Sequence, residues 1–186
     1  MTRLARIVRP AVAAAALVLA AGGAVAADGD RLEELFGELA DPGNRYWQRT
    51  ESDILREWSK SGSPAMDMLL KRGQEALEAG DLPAAIEHLT ALTDRAPGFA
   101  EGWNARATAY FMAGLYGPAM QDIARVLELE PRHFGALTGL GTILSETGDK
   151  EAALKAFRAA DTIHPHSPDI DQAVQRLERD LEGTAL

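Results

Sequence analysis

Between residues 66 and 167 the apolar positions recur three and four apart, the spacing that lays one stripe along an α-helix. Leu69, Gly73 and Ala76 form one stripe; Trp103, Ala107 and Tyr110 a second; and Leu137, Leu140, Gly141 and Leu144 a third. Between them lie three more, at Ala85, Leu89 and Leu92, at Ala119, Ile123 and Val126, and at Ala153, Phe157 and Ala160. The alternation has a fixed period. Pro97, Pro131 and Pro165 are 34 apart, as are Gly80, Gly114 and Gly148, and Ala85, Ala119 and Ala153. Three residue types sharing one period in one phase predict three units of two antiparallel helices each, at residues 66 to 99, 100 to 133 and 134 to 167.

The punctuation agrees with the stripes. Gly80-Asp81, Gly114-Leu115 and Gly148-Asp149 stand between the paired helices, where Gly takes the left-handed conformation that ends a helix and Asp caps the next. Each proline blocks continuation of the second helix of its unit. Gly73, Ala107 and Gly141 hold equivalent places where a helix pair crosses closely, so a larger side chain there is expected to overpack the contact by roughly 1 to 3 kcal/mol.

An array of this kind leaves an apolar face at each end, which flanking segments must cover. Ser167 and Pro168 open a helix whose stripe is Ile170, Val174, Leu177 and Leu181, as a capping helix requires, with the tail completing residues 168 to 186. Upstream, Leu32, Leu35, Phe36 and Leu39 predict one amphipathic helix and Trp47, Ile54, Leu55 and Trp58 a second, parted by the breaker Asp41-Pro42-Gly43. Residues 27 to 65 are therefore expected to hold a degenerate extra helix pair.

Trp103, Ala107, Tyr110, Gly114, Ala119 and Pro131 carry the clearest resemblance, which is to the tetratricopeptide repeat family (TPR). The chain departs from that pattern at Arg72 and Arg106, where the first helix usually has Leu, and at Leu115, where Asp or Asn is common. The resemblance implies an all-α fold, an α-solenoid of three tandem helix pairs with the degenerate N-terminal pair and the C-terminal capping helix. It also implies a concave groove lined by the first helices, presenting Leu70, Gln74, Leu77, Asn104, Thr108, Phe111, Met112, Thr138, Thr142 and Ser145. Within that groove Asn104 is expected to hold partner backbone amides, and Phe111 and Met112 to supply apolar contact. Some family members grip a partner's C-terminal carboxylate with Lys and Asn, but here Lys71 alone does not make such a clamp. Arg72 and Arg106 stack on neighbouring first helices, either with their stems over the core, paired with acidic neighbours, or open to an acidic segment. The wider layout, with Ser61-Gly62-Ser63 before the repeats, is similar to a group of small exported bacterial tetratricopeptide proteins, a likeness that implies no particular activity.

Residues 1 to 26 read as a cleavable signal peptide: Arg3, Arg6 and Arg9 precede a run from Ala11 to Ala26 without charge, and Ala24-Val25-Ala26 is small-x-small. A membrane anchor would need roughly 20 strongly apolar residues, where this run has 16, mostly Ala and Gly. A mitochondrial transit peptide would scatter its arginines along an amphipathic helix. A periplasmic or secreted location is the expectation, with no stable membrane insertion once the leader is removed. Cleavage would leave 16 basic against 28 acidic side chains, a formal charge of −12, which repels nucleic-acid phosphates and anionic lipid. With no cysteine in the chain, neither disulfides nor thiolate chemistry is available.

No candidate catalytic or metal site emerges, and no cofactor is expected. His88, His133, His164 and His166 lack a zinc-ligand spacing and read as surface or interhelical imidazoles. Gly135, Gly139 and Gly141 lack the Lys-Ser/Thr of a phosphate loop and are assigned to helix packing. The expected function is an adaptor or scaffold that binds a peptide or partner-protein segment in the groove, in envelope protein assembly or regulation, without enzymatic activity. The alternative is a self-associating structural solenoid with no separate ligand, or one whose groove is filled by its own N-terminal helices, with Trp47 and Trp58 the residues to watch.

Overall fold

The computed structural model describes residues 22 to 184, and every element among them is helical. α1 (Gly22–Ala40) and α2 (Trp47–Trp58) precede three pairs, α3 (Pro64–Glu78) with α4 (Leu82–Arg95), α5 (Ala100–Met112) with α6 (Tyr116–Leu129), and α7 (Phe134–Glu146) with α8 (Lys150–Ile163), followed by α9 (Pro168–Thr184). The expected leader lies outside the described residues as far as residue 21; from Gly22 the backbone is already helical, so α1 begins ahead of Leu32.

The turns inside the pairs are made as their residues dictate. Gly80, Gly114 and Gly148 have φ of 73°, 70° and 92°, which side chains with a Cβ rarely adopt. Asp81 and Asp149 accept from the amides of Ala84 and Ala152 at 3.1 and 3.0 Å, whereas Leu115 leaves the start of α6 without a side-chain cap. At the other end, Ala96, Glu130 and His164 each precede a proline and share one non-helical conformation, with φ of −131°, −137° and −128°. The proline ring forbids the α region to the residue before it, so all three helices stop at the same place.

The second helices supply the core: Ala85, Leu89, Leu92, Ala119, Ile123, Val126, Ala153, Phe157 and Ala160 are all buried. The close crossings are real. A Cβ built on Gly73 would lie 2.5 Å from Leu89 and one on Gly141 2.7 Å from Phe157, while Ala107 is buried at the equivalent position. α3 approaches α5, and α5 approaches α7, more closely than the second helices approach one another, so the array curves with the first helices inside. α9 lays Ala173 and Leu177 against Ala153, Leu154 and Phe157 of α8, with Ile170 buried one turn before them.

The N-terminal pair is not stacked on the open face of the first unit. Leu35, Phe36, Leu39, Ile54 and Trp58 form one cluster with Phe134 and Ile163, so α1 and α2 lie across the edge formed by the turns that lead into α7 and α9. Leu55, expected on the apolar side of α2, is exposed instead. The edge offers the pair the Phe134 ring and the imidazoles of His133, His164 and His166, whereas the corresponding turn before α5, Ala96-Pro97-Gly98-Phe99, has no imidazole.

Candidate functional site

The curvature brings α5 and α7 side by side on the inner wall, with a pocket of about 130 Å³ between them. Asn104, Thr108, Phe111, Thr138 and Thr142 line it, as the first-helix pattern implies, over a floor of Ala107, Ile123, Ala136 and Ile143. Gly135 and Gly139 complete the wall. The sequence pattern assigns these two to helix packing, but of the three glycines Gly141 alone serves that purpose: a Cβ on Gly139 would meet Ile123 at 3.6 Å, an ordinary contact, so its missing side chain makes space in the groove. The spacing of Gly135 and Gly139 on the face shared with Thr138 and Thr142 was the signal available in the sequence.

Five expected wall residues are not part of this pocket: Leu70, Gln74, Leu77, Met112 and Ser145, of which Leu77 and Ser145 are half-buried on their own helices. Leu70 is 3% exposed and packs with Leu89, Ala105 and Ala109, which corrects its placement on the open wall. It occupies the same repeat position as Asn104 and Thr138, yet an aliphatic side chain there fills the space beside α5, whereas Asn104 opposite Gly139 leaves it empty. Gln74, one turn further along α3, is half-buried outside the pocket, and Met112 is 50% exposed at the end of α5. Phe111 is partly committed to the fold through its stack on Tyr116, centroids 5.8 Å apart.

The polar groups of the pocket are mostly occupied by their own helices. The hydroxyls of Thr108, Thr138 and Thr142 donate to the carbonyls of Asn104, Phe134 and Thr138 at 3.1, 2.8 and 3.0 Å. The Asn104 amide donates to the Glu101 carboxylate at 3.3 Å. Glu101 in turn lies 3.1 Å from Nε2 of His133. Asn104 is thereby oriented with Oδ1 free to accept a hydrogen bond. The lining is therefore apolar with hydrogen-bond acceptors and contains neither Lys nor Arg.

Arg106 does not face this groove. Its guanidinium grips Asp122 through Nε and Nη2 at 2.7 and 2.8 Å, donates to Thr93 at 2.8 Å, and lies over the Trp103 ring. This resolves its alternatives in favour of an acidic neighbour, and ties α4, α5 and α6 together. Arg72 is exposed. None of the pocket residues comes from α1 or α2, so Trp47 and Trp58 pack elsewhere and the groove is not filled by these helices. Among the described residues no three His, Asp or Glu side chains gather in a way that could hold a metal ion, and no helix is long and apolar enough to cross a membrane.

A family model described as Tetratricopeptide repeat matches residues 70–128 and 119–168. The chain is 37% identical over 156 residues to a TPR repeat-containing protein of Rhizobium etli, covering 82% of this chain and 76% of the relative. Among solved structures, the Sgt2 TPR domain from Aspergillus fumigatus has a TM-score of 0.62 at 22% identity, over 66% of this chain and 83% of that one. The first TPR of Spaghetti (RPAP3), bound to the HSP90 peptide SRMEEVD, has a TM-score of 0.61 at 20% identity, over 63% of this chain and 93% of that one. By its repeats, its fold and its relatives, the chain belongs to the tetratricopeptide repeat family.

Proposed function

We propose that this chain is a protein-binding scaffold whose groove takes an apolar side chain from an extended or helical segment of a partner. The observation that carries this reading is the pocket between α5 and α7, apolar at its floor and rimmed by Asn104, Thr108, Thr138 and Thr142. Its volume suits one branched or aromatic side chain, and Asn104 Oδ1 accepts a backbone N–H beside it. The Spaghetti domain holds a peptide ending in acidic residues. The groove here, without a cation in its lining, favours a neutral or basic segment, in keeping with the net negative charge of the chain. Micromolar affinity, about −8 kcal/mol, is the scale expected of one such anchor.

Arg3, Arg6 and Arg9 before an uncharged apolar run support export, which places the scaffold in the periplasm or outside the cell, serving envelope protein assembly or regulation without catalysis or a cofactor. A photoreactive residue at Thr108, on the pocket wall, tests the binding reading in cells. Adducts with one dominant envelope protein are the expected result; adducts only with further copies of the chain would replace this reading by the self-associating one.

A further inference from the structure

Three of the four histidines lie on the edge where the N-terminal pair docks, and they are treated very differently there. Trp58 stacks on His133, and Trp47 stands edge-on to His164 with centroids 5.4 Å apart and lies parallel to His166 at 6.1 Å. Both nitrogens of His133 are engaged: Nδ1 accepts from the Ala136 amide at 3.1 Å and Nε2 faces Glu101. His166 donates from Nε2 to the Asp41 carbonyl at 2.8 Å, a bond that a charged ring keeps. His164 is 1% exposed, and neither of its nitrogens has a hydrogen-bond partner. Pro165 keeps its backbone out of the helical region, and the Trp47 and Phe134 rings wall in its side chain.

We propose that the docking of α1 and α2 on the inter-repeat edge is a proton-sensitive latch, closed while the His164 ring is neutral and released when it takes up a proton. A neutral imidazole fits a site walled by Trp47 and by the Phe134 ring, which stands edge-on at 5.1 Å. An imidazolium carries two N–H donors and a charge into the same dry site. The titratable groups facing it are Glu51 from α2, with Oε1 3.4 Å from Nε2, and His166 from its own turn. α7 contributes the Phe134 ring to it, and the turn between α1 and α2 reaches its neighbour His166 through the Asp41 carbonyl.

Burial pushes the His164 ring below the ordinary imidazole value, outweighing the opposing pull of Glu51, while a charge on His166 acts in the same direction as burial. Undocking returns water to the ring and restores a value near 6.5. The docked state therefore binds fewer protons, so docking is complete above pH 6.5 and weakens as pH falls toward the docked value. The neighbouring ion pair does not share this dependence. Arg132 holds the Glu33 carboxyl below its usual range, so that contact stays charged in mildly acidic solution.

Hydrogen exchange of the full chain, corrected for the intrinsic pH dependence of exchange, provides the test. At about pH 5.5, one unit below the undocked value, a single such group weakens docking by up to about tenfold relative to about pH 7.5. Amides of α1 and α2 should lose protection by that factor while those of α5 to α8 keep theirs, and His164→Phe, which preserves a ring and removes the proton, should show no difference between the two pH values. His164→Gln, uncharged and smaller, serves if the Phe variant does not dock at neutral pH. Equal protection of α1 and α2 at both pH values in the unmodified chain would overturn the latch, as would a full pH response in a docked variant without the imidazole.

Discussion

The indole of Trp58 lies flat on the imidazole of His133, ring centroids 4.1 Å apart and planes 9° from parallel, joining the end of α2 to the residue that caps α7. His133 is held in place independently by its cap bond to Ala136, so the stack is a fixed platform onto which the N-terminal pair settles. Trp58→Ala is expected to cost about 3 to 5 kcal/mol, the usual scale for a large buried aromatic. The loss should fall on docking and not on the repeats: proteolysis should cut between residues 40 and 60 first, with the helical signal of the remainder intact.

Arg106 and Asp122 are both largely enclosed, with side-chain exposures of 12% and 6%. Arg106→Ala strands a buried carboxylate and should destabilise the chain by about 3 to 5 kcal/mol in denaturant unfolding. Asp122→Ala in the same chain should recover much of that loss, because the unpaired charge is then gone. Equal losses in the single and double variants would show that Arg106 acts through its packing on Trp103.

Two glycines of α7 should respond oppositely to the same change. Gly139→Ala adds a Cβ with ordinary contacts and gains helix propensity, about 0.5 to 1 kcal/mol. Gly141→Ala drives its Cβ to 2.7 Å from Phe157 and should be destabilising overall, by up to about 2.5 kcal/mol, since overpacking of about 1 to 3 kcal/mol works against the gain. Thermal unfolding of the two variants side by side gives the comparison.

Gly139→Leu separates binding from folding. Its side chain enters the pocket lined by Asn104, Thr108 and Thr142, so partner adducts at Thr108 should disappear while the melting temperature stays level or rises. Retained adducts would place the partner elsewhere on the chain.

Leu115 occupies the cap position that Asp81 and Asp149 fill in the other units, and is 45% exposed. Leu115→Asp should add about 1 kcal/mol by capping α6, raising the melting temperature by about 2 to 4 °C. Ser at the same position should give a similar gain.

Most of the fold is legible in the spacing of residues because each unit repeats one local solution. Gly148 needs its left-handed turn wherever the neighbouring units lie, and Pro165 ends α8 whatever follows. The candidate site was legible in part: Asn104, Thr108, Phe111, Thr138 and Thr142 do converge, whereas Leu70, at the same repeat position as Asn104, is buried. Which member of a repeat position is open depends on the size of the side chain across from it on the next helix, and no single unit contains that information.

The sequence by itself determined the helices, their turns and their stacking order, since these follow from backbone preferences and from contacts between neighbouring units. Only the tertiary structure decided where α1 and α2 dock and what the histidines do there. Those contacts join Trp47 and Trp58 to rings in turns far along the chain, and His133 and His164 do not share a repeat position, so no period marks them. The burial that leaves His164 without a hydrogen bond exists only once both partners of that long-range contact are in place.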